Sequence, residues 1–259
     1  MLDYTTNLID ERICKEKEIS EKETNEDALK RILRQLEGNT DYIHKYFYLF
    51  RLFDEFGKSD LYLYHDIKSF KGYYYLAAKA GQICFQLYEK GYRIKHSTLC
   101  TNSYFEQQNS NFNFAFHAML AGSNQLAIEL ALKDSSLEAA LKGDFEQAKE
   151  YLPTNVKDIH FSDSEVILWT ILYNDEKKMN HYIEKRTKEI RRYDKKCGFA
   201  SDYIDHWTLA LLKLAKERGM KCNLDVIELP LYVLDDDTPV NEEEWKLPED
   251  KELEKMLQV

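Results

Sequence analysis

Proline is missing from the first 152 residues of this 259-residue chain, since all four of its prolines (Pro153, Pro230, Pro239, Pro248) lie beyond them, and glycine is scarce at nine. Proline removes a backbone donor and clashes with the preceding turn, and glycine loses the most backbone entropy on ordering, so their rarity leaves long helices unopposed. No apolar run approaches the roughly 18–20 residues that cross a bilayer. The charged N-terminus, Met1 to Lys22, lacks the apolar segment of a secretory signal. These absences lead us to expect a soluble, cytoplasmic chain with no membrane partner. The five cysteines (Cys14, Cys84, Cys100, Cys197, Cys222) are odd in number and form no C-x-x-C pair, which fits reduced thiols better than a disulfide frame or a zinc site.

Chemical motifs are missing as well. There is no G-x-S-x-G, no phosphate-binding glycine loop and no H-E-x-x-H. The seven histidines never pair at i, i+4 or another short ligand spacing. Catalytic, cofactor-binding and metal residues are therefore all read as none, and no enzyme is expected.

What is present is a large apolar inventory, 44% hydrophobic and 13% aromatic, with 18 Tyr and 13 Phe. That is enough for a full core. Helical punctuation recurs along the chain. Asn25 is read as an N-cap and Gly38 as the end of a first helix; Thr40-Asp41 opens an aromatic-rich second ending near Gly57; Ser59-Asp60 caps a third reaching Gly91. The polar stretch Ile94–Asn111 reads as a long connection that could subdivide the molecule.

Beyond it a joint repeats: Gly122-Ser123 with Ala127, Gly143-Asp144 with Ala148, and more loosely Asn174-Asp175 with Met179. Gly or Asn ends one helix in the left-handed conformation, Ser or Asp caps the next, and a small or flexible residue one turn in lets the pair pack closely. A helix pair follows at Ser164–Tyr173 and Asp175–Tyr193, where Lys185, Arg186, Lys188, Arg191 and Arg192 mark a solvated face. A last helix runs from Ser201 as N-cap to Gly219, and Val226–Leu234, interrupted by Pro230, is a packed extended arm.

The expected fold is all-α: an antiparallel helix-hairpin array with repeat-like, tetratricopeptide-like packing and a short extended C-terminal arm. We divide it into a polar lead over 1–24, one helical domain over 25–235 and an acidic tail over 236–259. The formal net charge is −10, and residues 223–259 carry −9 of it. A field of that sign repels nucleic acid and attracts a basic protein surface.

Two acidic places are candidate partner-binding surfaces. One is Asp202, Asp205 and His206, read as one side of the last helix's first turns with Tyr203 and Trp207 facing the core. The other is the tail, with Asp235, Asp236, Asp237, Glu242, Glu243 and Glu244. An aromatic series from Tyr42 to Tyr75 suits core packing first and an interface second.

Asp205-His-Trp-Thr-Leu-Ala-Leu-Leu-Lys-Leu-Ala-Lys-Glu-Arg-Gly219, followed by Val226-Ile-Glu-Leu-Pro230-Leu231, resembles the C-terminal part of the immunity protein 49 family of bacterial polymorphic toxin systems. The resemblance implies an all-helical protein that neutralises a cognate toxin by direct contact, without catalysis, and the acidic tail would suit a toxin with a basic surface. No binding residue of that family transfers to a numbered position here. The alternative is a helical-repeat adaptor or regulator that holds a peptide or protein partner against its tyrosine-rich N-terminal helices.

Overall fold

In the computed structural model the described residues are 24–36, 41–92, 110–159, 163–193, 204–224, 226, 228–249, 253 and 256–257. Among them are ten α-helices and no strand. One isolated bridge, Val226 to Leu229, is the sole β-type pairing among the described residues, and none of the helices is long and apolar enough to cross a membrane. The all-α expectation is met. The polar lead, the end of the first helix at Gly38, Ser201, Asp202 and most of the 94–111 connection lie outside the described residues.

The chain forms two compact units. The first holds α1 (Asn25–Leu36), α2 (Tyr42–Tyr64), α3 (Ile67–Glu89) and the C-terminal segment from Asn241. Its centre is the α2–α3 hairpin. Phe53, Phe70, Tyr74, Leu61 and Cys84 are fully buried there, and Tyr46, Phe50, Phe56, Tyr62 and Tyr75 nearly so. Most of the aromatic series is therefore core, while Tyr48 and Tyr64 stay exposed.

The turn between these two helices lies later than the sequence indicates. Gly57, Ser59 and Asp60 are all helical, α2 runs on to Tyr64, and the break comes at His65, whose φ of 53° is left-handed. Asp66 then caps α3 by accepting from the Ser69 amide at 3.0 Å. Gly57 is a packing glycine rather than a helix stop: a Cβ there would come within 2.7 Å of the Tyr74 ring. The hairpin closes on that missing side chain.

Asp60, freed from capping, is partly buried and accepts a hydrogen bond from the Asn25 side-chain Nδ2 at 2.8 Å. Asn25 is itself the first helical residue, and the Thr24 hydroxyl accepts from the Asp27 amide in the capping role. Burial pushes the Asp60 carboxyl up to about 6, against the lowering effect of Asn25 and with some help from Asp66. The folded form thus holds its proton more tightly than the unfolded chain does. The associated stability is present at low pH and is lost as pH rises from about 4 through about 6. Asp60→Asn keeps an oxygen for Asn25 and has no charge to desolvate. It is expected to stabilise the protein at pH 7 by about 1 kcal/mol, a value discounted for partial exposure, and to flatten the denaturation midpoint between pH 4 and 6. An unchanged pH profile would remove Asp60 from the account.

The second unit comprises α4 (Ser110–Ala121), α5 (Asn124–Leu130), α6 (Ser136–Leu141), α7 (Phe145–Glu150), α8 (Asp163–Leu172), α9 (Glu176–Tyr193) and α10 (His206–Glu217), then an arm with a 3-10 turn at Leu231–Asp235. All three joints share one hydrogen-bond pattern. Gly122, Gly143 and Asn174 have φ of 80°, 82° and 55°. Each donates to the carbonyl three residues back, and the next residue donates five back: Ser123 to Ala118, Asp144 to Ala139 and Asp175 to Thr170. That is the Schellman closure, which occupies carbonyls the helix end would otherwise leave open. Asp144 and Asp175 then cap the following helices, and Ala127, Ala148 and Met179 are completely buried at their common offset. The helices between joints are unequal in length, from 6 residues in α6 to 18 in α9, so the shared joint does not extend to a regular repeat.

Candidate partner-binding surface

The Asp205–His206 candidate comes from the start of α10. The helix begins at His206 rather than near Ser201, and Asp205 is its N-cap, accepting from the Thr208 amide at 3.2 Å. A carboxylate at a helix N-terminus is favoured by the dipole and by open amides. Asp205 is taken further from solvent than that role needs. Its side chain is 4% exposed and pairs with Arg186 of α9 through both guanidinium Nε and Nη2, while the Thr208 hydroxyl donates to it at 2.6 Å.

Arg186 is held in turn by Asp163 at 3.4 Å, and its guanidinium lies 5.5 Å from the Trp207 ring centroid. Burial alone would lower the Arg186 pKa, but Asp205 and then Asp163 outweigh it and hold it above the ordinary arginine range. The sequence reading corrects at two points. Arg186 leaves the solvated face on which its neighbours Lys185 and Lys188 remain, and Asp205 is an internal linchpin of α8, α9 and α10 rather than an exposed acid.

The acids of the arm are differently placed. Leu229, Val233 and Leu234 are buried, the Asp205 amide donates to the Glu228 carbonyl at 3.0 Å, and Lys216 of α10 donates to the Leu234 carbonyl and pairs with Asp235 at 3.1 Å. Anchored this way, the turn presents Tyr232 (40% exposed), Asp235 and Asp237 outward, with Asp236 half-buried and accepting from the Thr238 amide at 2.9 Å. The Val240 amide reaches the Ala121 carbonyl at 3.3 Å, and Pro239 lies over Gly122, where a Cβ would meet it at 3.3 Å. The acidic run Asp235-Asp236-Asp237 therefore projects from ordered backbone fixed at both ends.

The remaining acids belong to the first unit. Glu244 pairs with Lys68 at 2.8 Å, and Glu242 accepts from the Tyr75 hydroxyl at 2.9 Å. Burial first, then Glu242, push the Tyr75 phenol up to about 12, so it stays a donor. Glu243 is exposed. Between them Trp245 lies flat over Gly72 of α3 and edge-on to Tyr73, 5.1 Å between centroids. The stretch read as a solvated tail is thus clasped to α3 from Asn241 to Trp245, and Leu253 beyond it is buried.

Among the described residues two thiols are candidates for reactivity. Burial raises the Cys84 thiol well above its ordinary value and Cys222 less strongly, so neither is primed as a nucleophile. Sequence spacing missed the pairing of His117 of α4 with His206 of α10, whose rings meet at 4.8 Å between centroids. Only a tertiary contact makes that pair, so no local spacing could have found it. A second grouping also went unforeseen: Tyr173, 37% exposed, stacks on Trp169 at 4.2 Å, with Lys149 and Lys178 over the two rings. No family model, no characterised protein and no solved structure matches this chain.

Proposed function

We propose that this chain neutralises a cognate bacterial protein toxin by direct contact, using the ordered acidic edge Tyr232, Asp235, Asp236 and Asp237 as part of the contact surface. The observation that carries the reading is the anchoring of that edge. Its acids project from a turn whose Val233 and Leu234 are buried and whose backbone is tied to α10, so little conformational entropy is lost when a partner docks. A tyrosine beside carboxylates offers broad contact area with a polar tip, and the acids steer a basic surface toward it.

The resemblance of residues 205–231 to immunity protein 49 supports the same reading, because that segment and this edge form one packed piece. The adaptor alternative has less to draw on, since Tyr46, Tyr62, Tyr74 and Tyr75, half of the tyrosines from Tyr42 to Tyr75, are core.

The direct test is rescue. Expression of this chain beside the toxin domain of a neighbouring secreted protein is expected to restore growth and to yield a co-purifying complex. Failure of both with every adjacent candidate sinks the proposal. Charge reversal sharpens it: Asp237→Lys, at an exposed acid, is expected to slow association several-fold at low salt and much less at high salt, with little effect on folding. Equal rates at both salt concentrations would place the contact elsewhere. Asp235, Glu242 and Glu244 are poorer choices, because their reversal also undoes internal bonds.

A further inference from the structure

We propose that His117 and His206 bind a divalent transition-metal ion of the zinc class between their imidazoles. His117 is 1% exposed, in a helix where Phe114 and Phe116 are completely buried. Burial of that kind leaves few rotamers for the imidazole. His206 is the first residue of α10, half-buried, with its backbone placed by the Asp205 cap and its ring edge-on to Trp207 at 5.9 Å. Two helices of one unit, α4 and α10, which pack against each other, thus deliver two imidazoles to one point from positions far apart in sequence.

The rings are tilted 56° rather than stacked, so nitrogens on two ring edges can face a common point, and their ligating nitrogens lie within 4.8 Å of each other. At metal–nitrogen distances of about 2.0–2.1 Å, two nitrogens on one tetrahedral ion sit roughly 3.3 Å apart. Rotation of the more exposed His206 side chain supplies the remaining approach. Neutral imidazoles choose zinc, nickel or copper over magnesium and calcium, which take oxygen donors. Water completes the coordination. The site is independent of the acidic edge, so its failure would leave the proposed function untouched.

The test is titration of the full chain with zinc chloride by calorimetry, with cobalt chloride as a spectroscopic probe. Saturable binding of one ion per chain is expected, reversed by EDTA, with visible d–d bands from the cobalt adduct. His206→Ala should lower the apparent affinity by about tenfold or more and abolish those bands. His181→Ala, at an exposed histidine, and Cys222→Ser should leave both signals intact. His117→Asn is read only if its circular dichroism matches the parent; otherwise His206→Ala alone decides. Absence of saturable binding, or binding unaltered by His206→Ala, overturns the proposal.

Discussion

Arg186→Met is expected to destabilise the protein by about 3 kcal/mol at neutral pH, because it leaves a buried carboxylate without its counter-charge. The Asp205 side chain is 4% exposed, and its other partners are the Thr208 hydroxyl and the amide it caps. Those dipoles do not replace a guanidinium that meets both carboxylate oxygens and also reaches Asp163. Methionine matches the arginine stem in bulk, so the loss reads charge rather than a cavity.

One signature separates this mechanism from general disruption. The double variant Arg186→Met with Asp205→Asn should recover more than half of the loss, because asparagine can still cap α10 without needing a cation. Losses that are additive in the double variant would show that the pair is not coupled.

Gly72→Ala should detach the C-terminal segment from α3. A Cβ at that position would fall inside the Trp245 indole, against its Cε2, Cζ2 and Cδ2 atoms, and Gly72 sits mid-helix where α3 cannot easily yield. Losing the indole contact, the Tyr73 edge and the Tyr75–Glu242 bond is expected to cost about 2 kcal/mol, the scale for exposing a large side chain. That cost exceeds the small gain alanine brings to a helix interior.

Chemical denaturation measures the loss, and the indole N–H resonances locate it: one of three should move to a solvent-exposed position while those of Trp169 and Trp207 hold. Trp245→Ala should be about as destabilising, and the two changes together no worse than the larger single one, since both remove the same contact. Additive losses would mean that glycine and indole act separately.

Helix type was legible from residue order because helix ends use local chemistry. The closures at Gly122, Gly143 and Asn174 need only a residue that tolerates positive φ and a small or flexible residue one turn on, all within six positions, and two of them add a capping aspartate, Asp144 and Asp175, whereas Ser123 makes no side-chain cap. The same rule failed at Gly57-Lys-Ser-Asp60, which carries those signals and is nonetheless interior to α2. There the glycine answers to Tyr74 across the hairpin and Asp60 to Asn25 of another helix, and local sequence encodes neither demand.

The candidate acids divide along the same line. Asp235 and Asp237 stay outward, as a run of charge beside a proline-bearing arm suggests, whereas Asp205 turns inward because Arg186 lies within reach on α9. Glu242 and Glu244 are drawn to α3 by Tyr75 and Lys68.

Residue order alone determined that the chain is helical, where three of its joints fall and that its negative charge gathers at the C-terminal end, because capping, periodicity and composition act over a few neighbouring residues. Tertiary structure alone decided which charges are buried, which glycine makes room for an indole and which two histidines meet. Each of those outcomes depends on side chains brought together across helices, and no short-range rule reaches that far.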